Sequence, residues 1–137
     1  MSQIELAPYI FFKGNCAEAM EFYKNVFGGK LELMKYEDTP GDFPGKSEMI
    51  GKVMNSTLVT GKGFTIRASD TNGASAETKK VELCLTGSDE TDLRKIFEGL
   101  SQGADIKQPL EKMFWGDIFG TLTDKFGVDW MMDIQQG

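Results

Sequence analysis

Residues 120–134, GTLTDKFGVDWMMDI, repeat the pattern of residues 56–70, STLVTGKGFTIRASD. Thr57 matches Thr121, Leu58 matches Leu122 and Gly63 matches Gly127, all at a constant offset of 64 residues. Each stretch predicts two strands joined by a glycine-containing tight turn. Because strand side chains alternate between faces, Val128, Trp130, Met132 and Ile134 fall on one face and Asp129, Met131 and Asp133 on the other. The apolar set is expected to pack against a helix. In the first copy Phe64, Ile66 and Ala68 oppose Thr65, Arg67 and Ser69, so Arg67 and Met131 take related positions on the polar face.

The same order of elements precedes both hairpins. APYIFF, residues 7–12, predicts a short strand, and the following CAEAMEFYKNVFGG places Ala19, Met20, Tyr23, Val26 and Phe27 at helical spacing. Asn15 is the expected N-cap of that helix, with Gly28 and Gly29 as its stop. KLELMKY then alternates Leu31 and Leu33 with charged residues, the pattern of a half-buried strand. Later, VELCLTG at 81–87 predicts a strand, and Ser88 or Asp89 caps a helix with Leu93, Ile96, Phe97 and Leu100 on one face and Gly103 as its stop. ADIKQPL begins the next strand.

A period of 64 residues is longer than that of a solenoid, so the chain is expected to be a duplicated βαβββ module. The fold class is therefore α+β, one domain over residues 1–137, with modules at about 4–72 and 78–135. The helix stops Gly29 and Gly103 differ by 74 rather than 64, which puts about ten extra residues into the first module. They lie in EDTPGDFPGKSEMIGK, residues 37–52, whose two prolines and three glycines require a surface loop. That loop is either a solvated connection or a lid over a pocket.

Composition narrows the chemistry. The chain has 137 residues, 40 % hydrophobic and 26 % charged, which is enough length and apolar content for a folded core. A net charge of −6 without a basic cluster excludes nucleic acid as the expected partner. MSQIELAPYIFF lacks the organisation of a signal peptide, and no apolar run approaches the roughly 20 residues that span a bilayer, so a cytoplasmic location with no membrane partner is expected. Cys16 and Cys84 are too far apart in sequence to form a metal-type pair and are expected as free, buried or partly buried thiols. The chain contains no histidine, which excludes Ser-His and Cys-His triads and leaves any metal to carboxylates, amides or thiols.

The combination of Glu21-Phe22-Tyr23, Phe27-Gly28-Gly29, Phe114-Trp115-Gly116 and the run from Asp124 to Trp130 resembles the vicinal-oxygen-chelate superfamily, which includes glyoxalase I and bleomycin-resistance proteins. Within it the chain is most similar to the PhnB-like group, some members of which carry a 3-demethylubiquinone methyltransferase label. The resemblance implies paired βαβββ modules curled into a half-open barrel, completed in a homodimer. It also implies a divalent metal held by His and Glu on the first and last strands of each module. Those four positions fall on Pro8, Arg67, Val81 and Met131, each to within about one residue, and none is a credible divalent ligand. Many PhnB-like sequences have histidine where this chain has Asn55, which cannot act as a base near neutral pH.

The expected function is metal-independent binding of an amphipathic or aromatic small molecule by a homodimer, without a cofactor. Candidate binding residues are Arg67, Asn55, Trp115, Asp117, Asp129, Asp133 and Glu48. The fork of Arg67 suits a carboxylate or phosphate, unless it pairs internally with Asp129, Asp133 or Glu82. Phe114, Trp115 and Phe119 offer an aromatic wall, beside Asp117, and Asp38 and Glu48 lie on the long loop. The alternative is a metal-dependent lyase, isomerase or dioxygenase using Glu82, Asp129, Asp133 and Glu48 as a displaced carboxylate site. A methyltransferase would need a Gly-rich strand-to-helix nucleotide motif, which the sequence lacks.

Overall fold

The computed structural model describes residues 5–71 and 81–136. They form two compact units, one on either side of the intervening segment. The module limits expected at residues 4, 72 and 78 lie outside the described residues. In the first unit, β1 (Tyr9–Phe12), α1 (Cys16–Phe27), β2 (Lys30–Lys35), β3 (Val53–Val59) and β4 (Thr65–Asp70) form a sheet of order β1-β4-β3-β2 under one helix. In the second, β5 (Leu83–Gly87), α2 (Glu90–Leu100), β6 (Asp105–Lys112), β7 (Ile118–Thr123) and β8 (Asp129–Ile134) repeat that plan in the order β5-β8-β7-β6. The fold is α+β with two βαβββ modules, as the sequence predicts.

The duplication is visible in the backbone. β4 and β8 begin and end 64 residues apart, and both pair parallel to the first strand of their module. Each ladder closes at the same point, with Thr71 N–H donating to Phe12 O at 2.8 Å and Gln135 N–H donating to Gly87 O at 2.7 Å. The hairpin turns match as well. Thr60 Oγ1 donates to Phe64 O at 2.7 Å, while Asp124 Oδ1 accepts from Phe126 and Val128 N–H at 2.9 and 3.0 Å. One polar side chain braces each three-residue loop, and Gly63 and Gly127 supply the positive φ (94° and 86°) that such a loop needs. Asp124 Oδ2 also accepts from Trp130 Nε1 at 2.9 Å, which satisfies the buried indole N–H.

The helices pack by their predicted stripes. On α1, Cys16, Ala19, Met20, Tyr23 and Phe27 are buried; on α2, Leu93, Ile96, Phe97 and Leu100 are. Cys16 thus joins the stripe, whereas Val26 is only half-buried. Their counterparts are Leu58, Ile66 and Ala68 in the first sheet and Leu122, Trp130, Met132 and Ile134 in the second, all buried. Burying a side chain such as Phe27 or Met132 stabilises the fold by about 1.5–3 kcal/mol relative to exposure. The alternation expected for Val128–Ile134 holds throughout β8.

The start of α1 differs from expectation. Asn15 stands at the N-cap but makes no side-chain capping bond. A charged acceptor comes instead from Asp70 at the end of β4, whose Oδ1 accepts from Gly14 and Cys16 N–H and whose Oδ2 accepts from Val53 N–H, each at 2.9 Å. A buried carboxylate at the positive end of a helix is favoured over a neutral amide there. In α2 the cap is local, Asp89 accepting from Asp92 N–H at 3.1 Å. That helix ends at Leu100, before Gly103, where the backbone tightens into i→i−3 bonds, Ser101 N–H to Glu98 O at 3.2 Å and Gln102 N–H to Gly99 O at 3.4 Å.

Three further expectations need adjustment. Leu33 is 39 % exposed, because β2 is an outer strand of its sheet. The strand expected from residue 81 begins at Leu83, leaving Val81 74 % exposed. Cys84 is exposed, since β5 is also an outer strand; Cys16 is buried. Pro109 is accommodated in the outer strand β6, where the pairing is irregular between Gln108 and Glu111. The long loop carries two 3-10 turns, at Tyr36–Asp38 and Ser47–Met49. It is pinned at its base by Tyr36 N–H to Lys52 O (3.0 Å) and by Gly51 N–H to Glu37 Oε1 (2.9 Å). The latter bond draws the Glu37 carboxyl below its ordinary range. Among the described residues no helix is long and apolar enough to cross a membrane.

Three substitutions separate these contributions. A Cβ on Gly28 (φ 72°) meets nothing within 4 Å, whereas one on Gly29 (φ 104°) would lie 2.0 Å from Val59 O. Gly28→Ala is expected to cost about 1–2 kcal/mol in urea unfolding, and Gly29→Ala considerably more, because strand backbone must move. Asp70→Ala strands three backbone donors and is expected to cost about 3 kcal/mol or more, measured in the same way.

Candidate functional site

Each helix covers one face of its sheet, so functional side chains are sought on the other. In the first unit the register sets Tyr9, Arg67, Thr57 and Glu32 in one row across all four strands. Arg67 and Thr57 occupy the two central strands, and Arg67 Nη1 donates to Thr57 Oγ1 at 3.1 Å. Phe11 follows Tyr9 along β1, and their rings lie 5.1 Å apart at 39°. Both are well exposed, at 44 % and 60 %. Asn55, opposite Met34, lies two residues from Thr57 on the same face of β3. The structure therefore brings Arg67 and Asn55 onto one surface. Glu32 engages Lys30 at 3.5 Å.

The second sheet presents Cys84 and Thr86 on β5, Asp129, Met131 and Asp133 on β8, and Phe119, Thr121 and Thr123 on β7. Trp115 lies in the turn before β7 and packs edge-on against both Phe114 (4.9 Å) and Phe119 (5.8 Å). Phe119 is opposite Asp133, whose carboxyl lies close enough to that of Asp117 for the two to influence each other's ionisation. Trp115, Asp117 and Asp133 are thus one cluster. Asp129 sits at the far end of β8, accepting from Thr123 Oγ1 at 2.6 Å. Glu48 is exposed on the 3-10 turn of the long loop and belongs to neither sheet.

Two carboxyls in contact cannot both ionise readily. Burial and the neighbouring Asp117, through both a hydrogen bond and its charge, push the Asp133 carboxyl above the usual aspartate range. Its Oδ1 is shielded from water and has no hydrogen-bond partner among the described residues. Partial desolvation, with the Asp133 charge as a second cause, also raises the thiol of Cys84, exposed as that residue is. Burial raises Cys16 further, to about 11, so it is a core group rather than a nucleophile.

Register shows which side chains lie level with two of the metal positions implied by the resemblance, Arg67 and Met131. Pro8 precedes β1, and the residue level with Arg67 is Tyr9. Val81 precedes β5, and the residue level with Met131 is Cys84. A phenol, a guanidinium, a thiol held above its ordinary pKa and a thioether do not fit an oxygen-seeking divalent cation. The displaced carboxylate set does not assemble either: among the described residues no three Asp, Glu or Cys side chains form a group able to hold a metal. Tyr9, Phe11, Thr57 and Cys84, which register places on the helix-free faces, were not singled out by sequence reading. In Tyr9-Ile10-Phe11-Phe12 both faces are apolar, which conceals the two-residue period.

A family model described as 3-demethylubiquinone-9 3-methyltransferase matches residues 4–132. The crystal structure of protein PA1353 from Pseudomonas aeruginosa is 32 % identical, with a TM-score of 0.82 over 98 % of this chain and 100 % of that one. A Bacillus cereus structure described as a putative 3-demethylubiquinone-9 3-methyltransferase, PhnB protein, is 25 % identical, with a TM-score of 0.74 over 96 % and 100 % of the two chains. A glyoxylase/bleomycin resistance protein/dioxygenase domain from Frankia sp. EAN1pec shares the fold at 14 % identity and a TM-score of 0.66, over 98 % and 94 %.

The raised Asp133 carboxyl has a consequence for stability. The folded chain holds a proton there that the unfolded chain releases at about pH 4. Its contribution is complete below that pH and is lost as pH rises through the raised value. Asp133→Asn removes the ionisation, so its melting temperature relative to the parent is expected to climb between acidic and neutral pH in calorimetry. A difference independent of pH would contradict the raised Asp133 carboxyl.

Proposed function

The chain belongs to the PhnB-like family of the vicinal-oxygen-chelate superfamily, and on that footing we propose that it binds an amphipathic or aromatic small molecule without a metal, as a homodimer. The observation that carries this reading is the chemistry on the first and last strands of each module, where Tyr9 lies level with Arg67 and Cys84 with Met131. A guanidinium has no lone pair to offer a cation and repels it, so its place on a central strand favours organic ligands over divalent ions. Exposed rings on the helix-free faces supply apolar contact area: Tyr9 and Phe11 on the first sheet, Trp115 against Phe119 on the second. Asn55, Asp117 and Asp133 supply polar groups that orient a ligand. Asp129 and Glu48 are kept as secondary contacts.

Dimerisation is supported by the superfamily resemblance and by apolar side chains left exposed on outer parts of the first sheet, among them Leu33, Met34 and Val59. No methyl transfer is proposed. The family description names that activity, but the chain has no glycine-rich strand-to-helix nucleotide motif to hold a methyl donor.

Thermal-shift measurements on metal-stripped protein test this reading, with Mg²⁺ or Mn²⁺ added alone and with a panel of neutral and charged aromatic ligands. Organic ligands are expected to raise the melting temperature and the metals to leave it unchanged, since only a species that prefers the native state stabilises it. Stabilisation by metal alone would overturn the proposal. Light scattering on the eluting protein is expected to give twice the chain mass.

A further inference from the structure

Resting on the small-molecule reading above, we infer that the first sheet carries an anion site and that its ligand is a planar aromatic carboxylate, held by Arg67 with Thr57 and Asn55 and covered by the rings of Tyr9 and Phe11. Arg67 stands mid-sheet on β4 with its backbone fixed, N–H to Pro8 O at 3.0 Å, and its guanidinium oriented by Thr57. Within the first unit, no carboxylate among the described residues pairs with it. The acidic side chain in its own row, Glu32, is engaged by Lys30. Within the first unit the rest of the guanidinium fork thus faces no carboxylate among the described residues, and its geometry suits a bidentate partner.

The neighbours complete that chemistry. Thr57 Oγ1 accepts from Arg67 and so keeps its own proton to donate to the same anion. Asn55, two residues along β3, adds amide N–H groups. Adjacent strands stand about 5 Å apart and same-face residues about 7 Å apart along a strand. Tyr9 and Thr57 thus flank Arg67, with Phe11 and Asn55 one step away, which frames an area the size of one or two fused rings and a carboxylate. Tyr9 and Phe11 leave apolar ring area exposed to water, and a stacked ligand would cover it. A purely cationic patch would retain phosphate alone; the adjoining rings select for an aromatic body on the anion.

Titration calorimetry of the full chain with 2-naphthoate, 2-naphthamide and inorganic phosphate tests the inference. Saturable binding of the naphthoate is expected, with the neutral amide weaker by roughly tenfold or more, the value of a charge-assisted bidentate contact. Phosphate is expected to compete only weakly. Arg67→Met should bring naphthoate down to the level of the amide, and Arg67→Lys should recover part of the loss; circular dichroism confirms that both variants fold. Equal affinity for acid and amide, no effect of Arg67→Met, or phosphate binding as well as naphthoate would each overturn the anion site. So would a Tyr9→Ser, Phe11→Ser variant that becomes monomeric yet binds naphthoate unchanged, since the rings would then belong to a contact between copies. If neutral aromatic ligands bind and naphthoate does not, this inference fails while the broader small-molecule reading stands. If no organic ligand binds, both fail.

Discussion

The structure depends on one geometric constraint: within each module a single helix must carry the chain from one outer strand to the other. β1 and β2 lie at opposite edges of the first sheet, as β5 and β6 do in the second. Four strands span about 14 Å between the outer axes, and a helix of 12 residues is about 18 Å long. One helix is therefore enough to cross the sheet and to cover one of its faces. The parallel pairing of the first strand with the last follows from that crossing, as does the division of residues into a helix-covered set and a helix-free set. Core and candidate site are separated by the pleat of the strands.

This division explains which positions the two copies share. Thr60 and Asp124 differ in chemistry but brace the same turn, because that loop needs an acceptor for its inward N–H groups. Ser56 and Gly120 are both small and buried on the helix side. Gly120 admits Phe97, and Ser56 sits against Cys16 while donating to Ala68 O at 2.8 Å. Arg67 and Met131 are free to diverge, since neither packs under a helix. Where the backbone or the helix imposes a requirement the copies agree, and on the helix-free faces each has acquired its own chemistry.

The helix starts diverge in an instructive way. α2 is capped by its own neighbour Asp89, a bond that forms with the helix itself. α1 relies on Asp70, which also takes the first N–H of β3 and so joins three segments distant in sequence. The long loop ends at that same β3 terminus, and its base is closed by its own hydrogen bonds. The extra residues of the first module are thereby tied to a fixed point, which leaves Glu48 on an outer turn rather than on the sheet.

The sequence alone determined the two-module architecture, both helix stripes and the face of every residue in β8, because these follow from periods of two and 3.6 residues that operate within a few neighbours. It also supplied Arg67, Asn55, Trp115, Asp117 and Asp133 as polar or aromatic groups without a local structural duty. Tertiary structure alone decided how they group. The pairing of Tyr9 with Arg67, like that of Cys84 with Met131, joins residues far apart in the chain. Asp70 reads in sequence as an ordinary polar strand end, and its three donors become visible only when the helix start and β3 are brought to it. The influence of Asp117 on the Asp133 carboxyl likewise becomes visible only in the folded chain. Local periodicity fixes which way a side chain points; what it meets there depends on long-range register, which no local pattern encodes.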